Sequence, residues 1–139
     1  MRGVVVDQIE VRGDHLVLLV AADVEDLQTP EGPVHEKLAA IVDGFSGRLA
    51  SSGGTLSGMG AVVGATEPEH IARLRQLMPR AVFLVPGVGA QGGRPENLGP
   101  AFTPGRAAAL VPASRSIAGS PDPGQAAEDL REAVWAVSS

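Results

Sequence analysis

Two stretches of this 139-residue chain have residue types and spacing suited to holding an anion. The first is "VPGVGAQGG" at 85–93, where an apolar run ends in Gly87, Gly89, Gly92 and Gly93, four glycines in seven residues. Glycine costs backbone entropy and packs nothing, so such a cluster needs a reason. One reason is a tight turn. The other is a backbone left bare so that successive N–H groups can cradle an anion, with Gln91 as a neutral side-chain donor. The second stretch is "VPASRSI" at 111–117, whose Arg115 carries a planar guanidinium suited to bidentate phosphate contact. Neither stretch matches a known phosphate fingerprint. No Gly-Lys-Ser/Thr follows the glycines, and although Gly87, Gly89 and Gly92 fall at Gly-x-Gly-x-x-Gly spacing, the acidic residue about 20 positions on that completes the dinucleotide fingerprint is missing. On residues alone, turn and cradle stay open for the loop, and Arg115 alone reads equally well as a solvated charge.

Other chemistry is thinly supplied. Lys37 is the sole lysine, and it sits in a helical pattern beside Glu36, where a surface charge is the plain reading. His15, His35 and His70 are scattered without metal-ligand spacing, so no metal site is expected. With no cysteine, disulfides and thiolate chemistry are excluded.

The elements that must position the two stretches follow from periodicity. "VVVDQIEV" (4–11) and "HLVLLVAA" (15–22) have strand length and composition, and Gly13-Asp14 permits a hairpin between them. "VEDLQTPEGP" (24–33) reads as a loop. "VHEKLAAIVDGF" (34–45) puts Val34, Leu38, Ile41, Val42 and Phe45 on one helical face. "SSGGTLSG" (51–58) reads as a flexible connection, and "GAVVGA" (60–65) as a buried strand. A helix is predicted over 66–78, with Thr66 as N-cap, Pro68 in the first turn and Ile71, Leu74 and Leu77 or Met78 inward. "AVFLVP" (81–86) and "AAALVPAS" (107–114) are further strands. A last helix over 122–137 turns Ala126, Leu130, Val134 and Val137 inward. Apolar strands alternating with amphipathic helices indicate an α/β fold with a parallel sheet. In such folds chemistry gathers where strands end, and three ends stand out: "VVGAT" (62–66), the glycine loop and "VPASRSI".

Bulk properties narrow the function classes. The length suits one domain. A net charge of −5 argues against a general nucleic-acid or anionic-membrane surface, so any anion site must be local. Aromatic content of 3% makes base-stacking platforms improbable. No apolar run approaches the roughly 20 residues of a membrane span. Acids interrupt the N-terminus too early for a signal peptide, and the absence of cysteine fits a cytoplasmic protein.

"GAVVGATEPEHIARLRQLMPRAVFLVPGVGAQGG" (60–93) resembles the corresponding stretch of the bacterial, type 2 group of orotidine 5′-phosphate decarboxylases. The likeness lies in the VVGAT strand end, the helix with a Leu-Arg pair and the P-G-x-G-A-Q-G-G loop, in that order. "SRSI" (114–117) is similar to the family's S-R-G-I, and "DLQTPEGPVHEKLA" (26–39) to its segment opening the preceding helix. The resemblance spans roughly residues 24 to 137. It implies a (β/α)8 barrel of about twice this length, of which this chain is one half: four parallel strands with their helices, 24–139, behind an unfamiliar strand or hairpin segment, 1–23. It further implies that Gly89, Ala90, Gln91, Gly92 and Gly93 together with Arg115 hold the 5′-phosphate of a pyrimidine nucleotide monophosphate, that Pro86 lies on the pyrimidine side, and that no cofactor is needed.

The departures from the family are equally specific. Family catalysis rests on a D-x-K-x-x-D pattern, and no Asp-x-Lys occurs in this chain, so no catalytic residue is assigned. The S-N-P-G whose serine reads the pyrimidine is replaced by "VAADVED" (20–26), and the glycine of S-R-G-I is Ser116. Three readings follow. The chain supplies the phosphate-binding half to a second chain bearing the lysine and aspartates; it is a non-catalytic degenerate half-barrel that structures or regulates a partner; or it is a truncated decarboxylase. A half-barrel leaves two sheet edges and an inner face open, so association with a complementary half or a second copy is expected.

Overall fold

The computed structural model describes residues 17–19, 27–50 and 53–138. Its main sheet has four strands in the order β1 (Val17–Leu19), β4 (Met59–Val62), β5 (Val82–Leu84) and β6 (Ala109–Leu110). All three pairings are parallel. The strand expected within 15–22 thus joins the main sheet through Val17–Leu19. The predicted partner at 4–11, the hairpin turn and the altered segment 20–26 lie outside the described residues. Among the described residues no helix is long and apolar enough to cross a membrane.

Side-chain alternation explains the layers. Met59, Ala61, Val63 and Ala65 of the β4 run, with Ala81, Phe83 and Val85 of the β5 run, are buried in the core against the helices. Their neighbours Val62, Val82 and Leu84 point to the other face and are only partly covered, and Leu110 there is 53% exposed. A period of two sends alternate residues to opposite faces, so one apolar face is sealed by helices and the other is not. Four parallel strands with helices on one side form half of a β/α barrel, and the part-covered face is its interior wall.

The helices form where sequence puts them, with local corrections. The 24–33 stretch contains a short antiparallel ladder, β2 (Gln28–Thr29) with β3 (Gly32–Pro33). Helix α1 (Val34–Ser46) follows Pro33, whose missing N–H costs nothing at a helix start. It buries Ala39, Val42 and Ser46, while Ile41 and Phe45, expected inward, are exposed. Helix α2 (Pro68–Leu77) starts two residues later than predicted; Glu67 occupies the N-cap and Thr66 makes no cap, because Pro68 at the start already lacks one of the orphan N–H groups. Helix α4 (Pro123–Val137) is capped by Asp122, whose Oδ1 accepts from the Gln125 N–H at 3.0 Å. Between β5 and β6 the chain builds three short 3-10 turns, at Pro95–Asn97, Gly99–Phe102 and Arg106–Ala108, in place of a full helix. Pro95, Pro100 and Pro104 within this connection lack the N–H that a longer helix would need.

One buried charge ties these pieces together. Arg75 of α2 is only 5% exposed. Its Nη1 donates to the carbonyls of Met78 and Ala81 at 3.0 and 2.7 Å, and its Nη2 to those of Ala101 and Ala108 at 2.7 and 3.1 Å. The guanidinium stacks on the Phe83 ring, 3.6 Å from its centroid. Burial lowers its pKa to about 10, which leaves it charged at neutral pH.

Candidate functional site

Three strand ends converge at one edge of the sheet. The parallel ladder continues beyond the strands: Val63 N–H donates to Leu84 O at 2.9 Å, Ala65 N–H to Pro86 O at 2.8 Å and Val85 N–H to Leu110 O at 2.8 Å. These bonds lock the VVGAT end against the start of the glycine loop and the exit of β6.

The loop itself is held by three internal bonds, Gly89 N–H to Gly93 O, Gly92 N–H to Gly89 O and Gly93 N–H to Gly87 O, at 2.8–2.9 Å. This closure requires φ values of +104° at Gly87, +77° at Gly89 and +95° at Gly92, which L side chains rarely adopt. Gly93 is needed for space instead. A Cβ there would lie 2.6 Å from Ala65 Cβ and 2.7 Å from Gly87 O. All four glycines therefore serve one folded-back loop.

That closure divides the predicted donors. The amides of Gly89, Gly92 and Gly93 are occupied by loop carbonyls, while Ala90 and Gln91 sit exposed at the tip and, among the described residues, their amides bond no partner. Gln91 Oε1 folds back to 3.1 Å from where a Gly87 Cβ would stand, over the residue after Pro86. Arg115 opens the four-residue helix α3 (Arg115–Ala118), exposed and without an ion pair among the described residues. The two stretches meet through Ser116, whose Cβ and Oγ lie 3.2 and 3.3 Å from the position of a Gly89 Cβ. Just beyond the loop stands a three-residue 3-10 turn, Pro95–Asn97, so no long helix dipole backs it. A cation not singled out in the sequence, Arg94, follows the loop directly, exposed and 3.7 Å from Glu96. Its adjacency to Gly93 is the signal that points to it.

Other candidates fall elsewhere. Lys37 pairs with Glu31 at 2.9 Å on the exposed face of α1, as a surface charge does. His35 and His70 stack with ring centroids 4.8 Å apart between α1 and α2, beside a cavity of about 80 Å³ lined also by Leu38, Val42, Ala61 and Leu74. No residue of the glycine loop lines that cavity. Among the described residues no cluster of three or more His, Asp or Glu side chains is placed to hold a metal ion.

Comparison with known proteins gives this geometry a lineage. The profile of the orotidine 5′-phosphate decarboxylase / HUMPS family matches residues 48–130, more than half of the chain. The chain belongs to that family. A relative from Deinococcus radiodurans, orotidine 5′-phosphate decarboxylase, is 38% identical over 106 residues, which cover 76% of this chain and 39% of the relative. Among solved structures, OMP decarboxylase from Leishmania donovani superposes with a TM-score of 0.68 at 29% identity, over 88% of this chain and 47% of that one. A putative orotidine-monophosphate-decarboxylase from Toxoplasma gondii, at 23% identity and a TM-score of 0.71, shares the fold over 86% of this chain and 50% of its own. The chain thus spans half or less of the length of each of these decarboxylases. Within the family match lie the whole glycine loop and Arg115.

Proposed function

We propose that the chain supplies the phosphate-binding half of an orotidine 5′-phosphate decarboxylase-like barrel, acting on a pyrimidine nucleotide monophosphate with a chain that carries the lysine and aspartates. The observation that carries this reading is the convergence just described: loop tip and α3 meet at Gly89 and Ser116, with the free Ala90 and Gln91 amides and Arg115 on the elements that meet. An anion there gains charge-assisted hydrogen bonds from the guanidinium and neutral ones from the amides and the Gln91 amide group. Pro86 ends the β5 run and stands on the pyrimidine side. The grip on the phosphate is remote binding energy, useful only to a reacting centre elsewhere in the barrel. That centre must break the bond to carbon dioxide and return a proton to the same carbon. This chain has no Asp-Lys pair to do either.

Two expected results test the reading. Arg115→Ala should weaken binding of a nucleotide monophosphate by tenfold to a hundredfold, because a hydrogen bond to a charged group contributes roughly 1.5–3 kcal/mol. Calorimetric titration of both proteins measures this, and equal affinities would remove the site. The pure chain without a partner should show no turnover of orotidine 5′-phosphate; measurable release of carbon dioxide would refute the divided active site.

A second reading has its own observation. Ser116 stands where the family motif has glycine, and its side chain lies against Gly89. A crowded cradle favours the non-catalytic half-barrel that structures or regulates a partner. Nucleotide binding that stays absent even in complex with a complementary half selects it.

A further inference from the structure

The contact between the glycine loop and α3 is made by a side chain that the family motif lacks. Where the motif has S-R-G-I, this chain has Ser114-Arg115-Ser116-Ile117. Ser116 Cβ and Oγ lie 3.2 and 3.3 Å from where a Gly89 Cβ would stand. Gly89 has no Cβ and a φ of +77°, so the serine occupies room that this glycine leaves open. The two serine atoms stand at nearly equal range, so the hydroxyl is turned along the loop and not away from it. Ser116 is exposed, and among the described residues its hydroxyl has no hydrogen-bond partner. The hydroxyls of Thr29, Ser46, Ser57, Ser120 and Ser138 are all bonded to backbone atoms. A hydroxyl carries one donor and two lone pairs, and Ser116 keeps its donor for what enters the cradle.

We propose that the Ser116 hydroxyl is itself a donor to a phosphate monoester, standing between the Ala90 amide and the Arg115 guanidinium. The inference rests on the phosphate-binding reading and adds to it a ligand group that neither the glycine loop nor the family motif supplies. Connectivity sets the arrangement. Ala90, whose amide is free, follows Gly89, against which the serine lies, and Arg115 precedes Ser116. A phosphate monoester presents three acceptor oxygens, so amide, hydroxyl and guanidinium do not compete for one. The hydroxyl adds a hydrogen bond to a charged acceptor, which is stronger than one to a neutral group. The side chain also has a backbone effect. Helix α3 has only four residues, and glycine at its second position would loosen the segment that carries Arg115. Both effects make serine at this position favour the anion. Steric crowding by the same side chain would have the opposite sign, and the two are separable by experiment.

The full chain is titrated calorimetrically with uridine 5′-monophosphate, with inorganic phosphate and with uridine. Ser116→Ala keeps Cβ and loses the hydroxyl. It should weaken binding of both phosphate probes about tenfold, the lower end of what a hydrogen bond to a charged group contributes. Ser116→Gly installs the family residue and should weaken binding at least as much, since it also frees α3. Uridine, which has no phosphate, should respond to neither change. Equal affinities of Ser116→Ala and wild type for the phosphate probes would overturn the proposal. Tighter binding by Ser116→Gly would overturn it too and show that the serine crowds the site. A parallel loss of uridine affinity would place the side chain on the nucleoside instead. Arg115→Ala separates this inference from the reading beneath it. Affinity lost there but kept in Ser116→Ala removes the serine alone, whereas a wild-type chain that binds neither phosphate probe removes the cradle and the proposal together. Circular dichroism checks each variant; should Ser116→Gly fail to fold, Ser116→Ala decides by itself.

Discussion

Arg75→Met should lower the unfolding free energy by several kcal/mol, because each buried carbonyl left without its donor costs about 1–3 kcal/mol. Four carbonyls, on Met78, Ala81, Ala101 and Ala108, would lose a donor in a site where water does not replace it. Those carbonyls belong to the end of α2, the start of β5, the middle 3-10 turn and the entry to β6. A single side chain thus substitutes for the backbone bonds that a regular helix would have supplied between β5 and β6. The lowered pKa shows that burial opposes the charge, and the carbonyls and the Phe83 ring must offset that cost. Arg75→Lys should recover only part of the loss, since an ammonium offers three donors from one point and cannot span four separated oxygens. Urea unfolding measures both, and a Met variant within about 1 kcal/mol of wild type would show the clasp to be dispensable. Against a total stability of roughly 5–15 kcal/mol, such a loss is a large fraction of the whole.

Gly93→Ala should abolish anion binding at the glycine loop. Its Cβ would meet Ala65 Cβ and Gly87 O well inside van der Waals contact, and neither is the far end of a flexible chain. The loop must open, breaking the bonds that connect Gly87, Gly89 and Gly93 and moving the Ala90 and Gln91 amides that it carries. Overpacking of this kind costs typically 1–3 kcal/mol of stability. The control is Gly44→Ala on the exposed side of α1, where a Cβ meets nothing within 4 Å. It should stabilise the helix by about 0.5–1 kcal/mol and leave binding untouched. Phosphate titration with both variants separates the outcomes; retained affinity in Gly93→Ala would mean that the anion does not use the folded-back loop.

Much of this was legible in the sequence, and the misses have physical causes. The β4 and β5 runs and helices α1, α2 and α4 follow from apolar periodicity, and in α2 that periodicity also records which face meets the core. The glycine loop was readable because positive φ and close approach leave few alternatives to glycine. Arg75 was not, since a charge on the polar side of an amphipathic pattern reads as solvated until the 3-10 turns are seen to fold over it. Ile41 and Phe45 were read as core because a sequence pattern reports that a side chain is apolar and not which neighbour it awaits. Thr66 was read as a cap from residue type alone, and Pro68 moved the helix start past it.

Among the described residues the order of the main sheet, β1-β4-β5-β6, is also the order of its strands along the chain. Each strand beds against the one made before it, and no pairing waits for a distant segment. Such an architecture can be divided at a single point between βα units without interrupting any strand pair on either side; only the two seams are exposed. Gene fission and fusion therefore act on it as on a chain of links. A polypeptide emerging from the ribosome can lay down this block in sequence, strand beside strand, as each βα unit becomes available.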